Sequence, residues 1–296
     1  MKILEISSRV SFQNILLATD FSPASIRAFP YALAIAGRYG SKLHLAHVVP
    51  PGAHMFARPP SLDSILQEAR EDAEDRMRDH LMVAKAHGFA CQTLVGFGDT
   101  CDVLAGFVQR NNVDLIVLGT TGGTGFRKMV LGSVAEEIIR GSSCPVLTVG
   151  PGVSGEVTAG LQDIVCATDF SPESLSAASY ALSLASEHQA HLILLHVLEY
   201  VPGHTMELML LSAKKQLHDL LPPEAEVFCE PEVLVEFGSP ADRIVEVAAE
   251  RSADLIVLGV RGVGSPQGIS HFFGSVAQRV VSRAPCPVLT VRGFPS

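Results

Sequence analysis

The chain contains itself twice, and this limits its folds more than any other feature. "ATDFSP" at Ala18–Pro23 returns at Ala167–Pro172, an offset of 149 residues, and His47-Val48 returns as His196-Val197 at the same offset. "DLIVLG" at Asp114–Gly119 returns at Asp254–Gly259, an offset of 140, while "GSVA" from Gly132 and "CPVLTV" from Cys144 return at 142. The changes in offset locate the differences. The second copy is nine residues shorter between His-Val and "VLVEFG", and two residues longer between its glycine-rich loop and "GSVA". A period of this length is a duplicated domain of ordinary size. The expected division is a first domain over 1–150, a linker over 151–162 and a second domain over 163–296. The joint "GPGVSGEVTAGLQD" has the Gly, Pro and Ser content of a linker.

Each copy alternates short apolar runs with amphipathic ones. In the first, "NILLATD", "KLHLAHVV", "CQTLVGF", "DLIVLG" and "PVLTV" read as buried strands. Ser22-Pro23 opens a helix that Gly40 stops, with Pro30 as a candidate kink. A long helix runs from a cap at Ser61 to Gly88, and "DTCDVLAGFVQRN" and "GSVAEEIIRG" supply two more. The second copy repeats the order. The fold class is α/β: two tandem open-sheet domains, each a parallel sheet with helices on both faces. Ligands of such sheets bind beyond the carboxyl ends of the strands where strand order reverses, and Asp20 and Gly119 both stand at strand ends.

"GTTGGTGFRKMVLGSVAEE", from Gly119, joins the fourth strand to the fourth helix. Its glycines permit a sharp turn and keep side chains away from a ligand. Gly132-Ser133 opens a helix whose first N–H groups lack intrahelical partners and carry the positive end of the helix dipole, a ready anion site. Arg127 and Lys128 in the loop could reach outer phosphates. The plainer alternative is a turn with a serine cap, and for Asp20 a carboxylate stabilising a helix start.

"ATDFS", "HV" and "DLIVLGTTG", then nine residues and "GS", resemble the universal stress protein family, in both copies. The spacing Gly119, Gly122, Gly132, Ser133 is that family's ATP-binding signature. The resemblance implies a five-stranded, Rossmann-like domain akin to the adenine nucleotide alpha hydrolases, and ATP, ADP or AMP as ligand, with Mg²⁺ carried by the phosphates. It assigns Ala18, Thr19 and Asp20 to the adenosine end and Val48 to the base. Leu118, Gly119, Thr121, Gly122, Gly132, Ser133 and Val134 fall to ribose and phosphates. In the second copy Thr168, Asp169, Val197, Gly259, Gly262, Gly274, Ser275 and Val276 match. There Arg261 replaces Thr121, Pro266 stiffens the loop, and eleven residues separate the glycines instead of nine. Arg261 either pairs with a phosphate or fills the pocket. The resemblance also implies an edge strand "CPVLTV" in each copy, so that Val146–Val149 meets Val288–Val291 antiparallel as a pseudo-dimer within the chain. A homodimer of chains stays open.

Three functions follow: a nucleotide-binding regulatory or protective protein of the stress response with little or no turnover, a slow ATPase or phosphotransferase, or a non-binding interaction scaffold. The Walker pattern and the protein-kinase motifs are absent, so no catalytic residue is assigned. The net charge of −9 argues against a nucleic-acid surface. No apolar run spans a membrane, and the N-terminus does not read as a signal peptide. Six cysteines without a C-x-x-C pair fit a reducing cytoplasm. His44 and His47 face opposite sides of one strand, and no histidine cluster recurs, so no metal site is expected. Glu68–His80 reads as a solvated helix face with i,i+4 pairs. Met206, Leu208, Met209, Leu210 and Leu211 read as core, or else as an inter-domain or subunit surface.

Overall fold

The computed structural model describes residues 4, 10–50, 62–120, 131–153, 157, 160–199, 205–223, 225–260 and 275–293. Two compact units emerge, Ser11–Ile138 and Ile139–Ser296 with the N-terminal ten residues.

In the first unit, strands β1 (Asn14–Ala18), β2 (Lys42–Val49), β3 (Cys91–Phe97) and β4 (Leu115–Gly119) lie in the order β3-β2-β1-β4, all parallel. Ile15, Leu16, Leu43, Leu45, Leu115 and Val117 are sealed from solvent, as strands covered on both faces require. Helix α1 (Pro23–Tyr39) starts at Ser22, whose hydroxyl accepts from the Ser25 amide, and ends at Gly40 in the left-handed region at φ 65°. It runs through Pro30 without interruption. Helix α2 (Leu62–Ala86) buries Ala69, Ala73, Met77 and Ala84, a stripe at helical spacing, and turns its charges outward. The expected cap at Ser61 lies outside the described residues. Helix α3 (Thr100–Arg110) is capped by Asp99, which accepts from the amides of Cys101 and Asp102. Helix α4 (Ser133–Gly141) follows β4.

The second unit begins with strand β5 (Val146–Val149) and continues through β6 (Asp163–Ala167), helix α5 (Pro172–His188) and β7 (His191–Leu198). Helices α6 (Met206–His218) and α7 (Ala225–Phe228) come next. They precede β8 (Glu230–Phe237), α8 (Pro240–Glu250), β9 (Leu255–Val260), α9 (Ser275–Arg283) and β10 (Val288–Arg292). The order is β5-β10-β9-β6-β7-β8. The second repeat's five strands are parallel, and β5 joins them antiparallel on β10, with Leu147 opposite Leu289. The fifth strand of the first repeat therefore belongs to the second compact unit, and the unit boundary falls twelve residues before the repeat boundary drawn at 150.

Two expectations are corrected. The second copy does not keep a single long helix after its second strand: α6 stops, Pro222-Pro223 follow, and α7 is one turn. The apolar run of α6 is not core. Leu208 is 67% and Leu211 58% exposed, Met206 is exposed too, and only Met209 and Leu210 are half-buried.

Candidate functional site

At the switch in strand order, β1 and β4 end side by side, with Ala18 opposite Leu118. The sequence Thr19-Asp20-Phe21-Ser22-Pro23 must turn there from strand to helix. Thr19 continues the ladder by donating its amide to the Ala46 carbonyl at 2.9 Å. Its hydroxyl accepts from the Phe21 amide at 3.0 Å and meets the Ser25 hydroxyl at 3.0 Å. Asp20 is exposed, and one of its oxygens accepts from the Ser22 amide at 3.0 Å. The carboxylate thus closes an Asx turn into α1. Phe21 pivots in the left-handed region at φ 62°, a conformation that costs a non-glycine residue about 1–2 kcal/mol.

Phe21 is held there from above and beside. Its ring lies 4.6 Å from the His47 ring, and the Arg76 guanidinium sits 3.9 Å from its centroid. Nδ1–H of His47 donates to the Thr19 carbonyl at 2.8 Å. Burial pushes the His47 pKa below its ordinary value; the bond to Thr19 opposes that and Arg76 adds to it. The ring is therefore neutral at pH 7. Arg76 belongs to the charged run of α2 that reads from sequence as a solvated face, and Phe21 lies inside "ATDFSP" with no signal of its own. The repetition of His-Val at the same offset as "ATDFSP" was the available signal for the Phe–His pair.

The second repeat builds the same turn. Thr168 donates to Leu195, its hydroxyl meets Ser174 at 2.9 Å, and Phe170 has φ 61°. The Phe170 and His196 rings are 4.6 Å apart, and His196 donates to the Thr168 carbonyl at 2.7 Å. Asp169 accepts from both the amide and the hydroxyl of Ser171. Partial burial raises its pKa, but those bonds and one from Ser174 outweigh it, so the carboxyl stays below its ordinary value.

The glycines at the ends of β4 and β9 have a structural reason. A Cβ on Gly119 would stand 2.5 Å from the Ala24 carbonyl carbon, and one on Gly259 2.4 Å from that of Glu173. The start of α1 or α5 lies directly on the strand, so glycine is required there whatever binds. Gly132 has a second task. Its N–H donates to the Thr120 carbonyl at 2.8 Å and its carbonyl accepts from Glu136, so it caps α4 and fixes the helix start beside the end of β4. The amides that open α4 toward a ligand are then those of Ser133, Val134 and Ala135. Ser133 and Val134 are exposed; Leu118 and Val48 are buried, and Ala18 and Thr19 are half-buried.

Thr120 was not among the sequence candidates. It is 1% exposed, and its hydroxyl has no hydrogen-bond partner. Such a group costs about 1–3 kcal/mol. The opening amides of a helix, with a carboxylate turn on the neighbouring strand, suit a ligand with an anionic end and a hydrogen-bonding end.

The structure thus brings Ala18, Thr19, Asp20, Val48, Leu118, Gly119, Gly132, Ser133 and Val134 into the first unit's switch region. In the second unit Thr168, Asp169, Val197, Gly259, the backbone of Ser275 and Val276 occupy the corresponding ends of β6, β7, β9 and α9. Thr121, Gly122, Arg127, Lys128, Arg261, Gly262, Pro266, Gly274 and the Ser275 side chain lie outside the described residues. His44 is a core residue in a polar chain with Asn14 and Gln92. Among the described residues no group of three or more His, Cys, Asp or Glu could hold a metal ion, and no helix is long and apolar enough to cross a membrane.

Comparison with known proteins gives one consistent answer. A family model described as the universal stress protein family matches residues 11–150 and again 160–292. A universal stress protein of Thermus aquaticus is 37% identical over 135 residues, covering 44% of this chain and 97% of that protein. A universal stress protein of Mycolicibacterium smegmatis is 27% identical over 291 residues, 94% of this chain and 97% of its own. Among solved structures, a universal stress protein from Archaeoglobus fulgidus superposes with a TM-score of 0.73 at 24% identity, covering 94% of this chain and 98% of that one.

Proposed function

The chain belongs to the universal stress protein family, as two tandem family domains, and from that premise we propose that it binds an adenine nucleotide in its first repeat and acts as a regulatory or protective protein of the stress response. The observation that carries this reading is the Gly132–Thr120 bond, which fixes the amides opening α4 at the switch point next to the Asp20 turn. A nucleotide needs donors for its phosphates and an acceptor for a ribose hydroxyl or base amino group, and these elements offer both. ATP, ADP or AMP would seat its phosphates at Ser133 and Val134, with Arg127 and Lys128 available to outer phosphates and Mg²⁺ entering with them. Asp20 and the Val48 region would take the adenosine. Turnover is at most feeble, because no Walker or kinase motif supplies a catalytic apparatus, and steady hydrolysis faster than about one per second would favour an ATPase instead.

The second repeat keeps the Asp169 turn and the start of α9, but replaces Thr121 by Arg261 and lengthens the loop by two residues. It serves as a weaker site or as a partner to the first. The antiparallel β5–β10 pairing supports an intrachain pseudo-dimer through the last strands; a homodimer of chains would be a further level. A cytoplasmic setting agrees with the six free cysteines, of which Cys91 is pushed up to about 11 and Cys101, Cys166 and Cys286 to about 12, chiefly by burial.

Calorimetric titration of the nucleotide-stripped chain with Mg-ATP tests the reading. One site abolished by Ser133→Pro assigns binding to the first repeat. Two sites add the second. No heat and no thermal shift leave a duplicated scaffold that binds no nucleotide.

A further inference from the structure

We propose that Arg76 is a positioning residue of the first repeat's site: its guanidinium, laid over the Phe21 ring, clamps the turn that carries Asp20 and so strengthens nucleotide binding there. The inference rests on the nucleotide reading above.

The first observation is where the arginine stands. Helix α2 has three arginines. Arg78 pairs with Asp75 in its own helix, and Arg70 lies 5.8 Å from the centroid of the Phe97 ring on β3. Arg76 comes closest to a ring, at 3.9 Å from the centroid of Phe21, while its side chain is still 50% exposed and Asp72 is 4.0 Å away. Ala73 and Met77, buried before and after it in the helix, seat α2. Arg76 thus reaches from a run of solvated charges to the turn after β1. Its charge is also felt at His47, whose pKa it lowers, while Asp20 and Asp72 act on the same ring in the other direction.

The second observation is what the arginine holds. Phe21 follows Asp20 and has φ 62°, a conformation that a phenylalanine keeps only where its surroundings impose it. Its ring has the His47 ring at 4.6 Å and the Arg76 guanidinium over it, and a cation over an aromatic face is attracted to that face. The bond from the Ser22 amide to the Asp20 carboxylate spans Phe21. If Phe21 left the left-handed region, that bond would break and the carboxylate would move. The place of Asp20 therefore depends on the Phe21 ring staying where it is.

The third is an internal control. The second repeat builds the same turn, with Phe170 at φ 61° and its ring 4.6 Å from that of His196. Helix α6 contains no arginine, and among the described residues no arginine or lysine stands over Phe170. The fold thus makes this turn without a cation. Arg76 is an addition to one repeat, the one that keeps nine residues between Gly122 and Gly132. A turn with a structural task alone does not need the addition. A turn that must present a carboxylate to a ligand gains affinity from being held in advance.

Arg76→Gln, Arg76→Lys, Phe21→Leu and the double variant Arg76→Gln with Phe21→Leu, each in the full chain, test this. Without nucleotide, Arg76→Gln should melt within about 2 °C of the parent, since the second repeat folds the turn without a cation. In the calorimeter it should bind Mg-ATP about three- to tenfold more weakly at the site that Ser133→Pro abolishes, the range that a cation over a ring supplies. Arg76→Lys keeps a cation for the ring and should recover part of the loss. Phe21→Leu should weaken binding at least as much as Arg76→Gln. The double variant should bind no more weakly than Phe21→Leu, because the arginine acts through the ring. The inference is overturned if Arg76→Gln melts well below the parent, if Arg76→Lys binds no better than Arg76→Gln, or if the two losses multiply in the double variant, which would make Arg76 a separate contact. A parent chain that binds no Mg-ATP removes the nucleotide reading and this role together. A parent that binds while Arg76→Gln is unchanged removes this role alone.

Discussion

His44 and His47 stand three residues apart on β2 and face opposite environments, as the period of a strand dictates. His47 closes the turn after β1, through the Thr19 carbonyl and the Phe21 ring. His44 is 1% exposed, with Nδ1 accepting from Gln92 at 2.8 Å and Nε2–H directed at Asn14, 3.4 Å away. Burial, with Lys42 adding to it, lowers its pKa from 6.5 to about 4. The folded chain thus holds this ring neutral where the unfolded chain protonates it. As pH falls from about 6.5 toward 4 the unfolded state gains the proton first, so stability drops through that window and the loss levels off below pH 4. The full effect is on the order of 3 kcal/mol. Urea denaturation across that range should reveal the slope, and His44→Gln should flatten it while lowering stability at pH 7; an unchanged slope in the variant would remove His44 as its source. Alternation alone placed the two histidines on opposite faces. The partners could not be read from it, since Asn14 and Gln92 come from the two neighbouring strands, β1 and β3. Thr120 escaped for a different reason: a missing hydrogen bond has no signature in a sequence.

Between elements, the tightest constraint is the seat of α1 on the end of β4 and of α5 on the end of β9. Gly119→Ala would bring its Cβ to 2.5 Å from the Ala24 backbone, and Gly259→Ala to 2.4 Å from Glu173. Backbone cannot yield as a side chain end does, so the helix must shift, at a cost of about 1–3 kcal/mol or more for each change. Gly141→Ala, where an added Cβ meets nothing within 4 Å, is the control and should change stability by less than about 1 kcal/mol. Equal denaturation midpoints for all three variants would refute the packing argument. The glycines of "GTTG" read from sequence as room for a turn and a ligand, whereas Gly119 makes room for a helix. The distinction depends on which element returns to cover the strand end, and that is a tertiary fact. Strands and helix ends were legible because they are local: "NILLATD" and "DLIVLG" are short apolar runs, Ser22-Pro23 is a start and Gly40 a stop. The exposed face of α6 was not legible, since a run such as "MELMLL" has the same composition whether packed or bare.

The chain's two compact units meet at a different place from the boundary of its repeat. By sequence β5 ends the first copy, yet it is compact with the second, where it pairs with β10. Thr148 and Thr290 fix that pairing reciprocally, each hydroxyl reaching a carbonyl on the other strand. The duplication itself could be anticipated from "CPVLTV" occurring twice, and the antiparallel meeting of the last strands from the family resemblance; the allegiance of β5 could not, because it depends on the sum of contacts on either side. This leads to a test with cut chains. A fragment over residues 139–296 carries its own β5 and leaves only that short, four-residue strand at the edge. A fragment over residues 160–296 has the second family domain complete by alignment, but bares β10, whose Val288, Leu289 and Val291 are buried in the full chain. An apolar edge without a neighbour recruits one from another molecule. The longer fragment should sediment as a monomer and unfold in one transition, while the shorter should dimerise through β10 or aggregate, and should be returned to the monomer by Leu289→Lys. Matching sedimentation of the two fragments would mean that β5 is dispensable to the second unit, and that the repeat boundary at 150 is also the physical one.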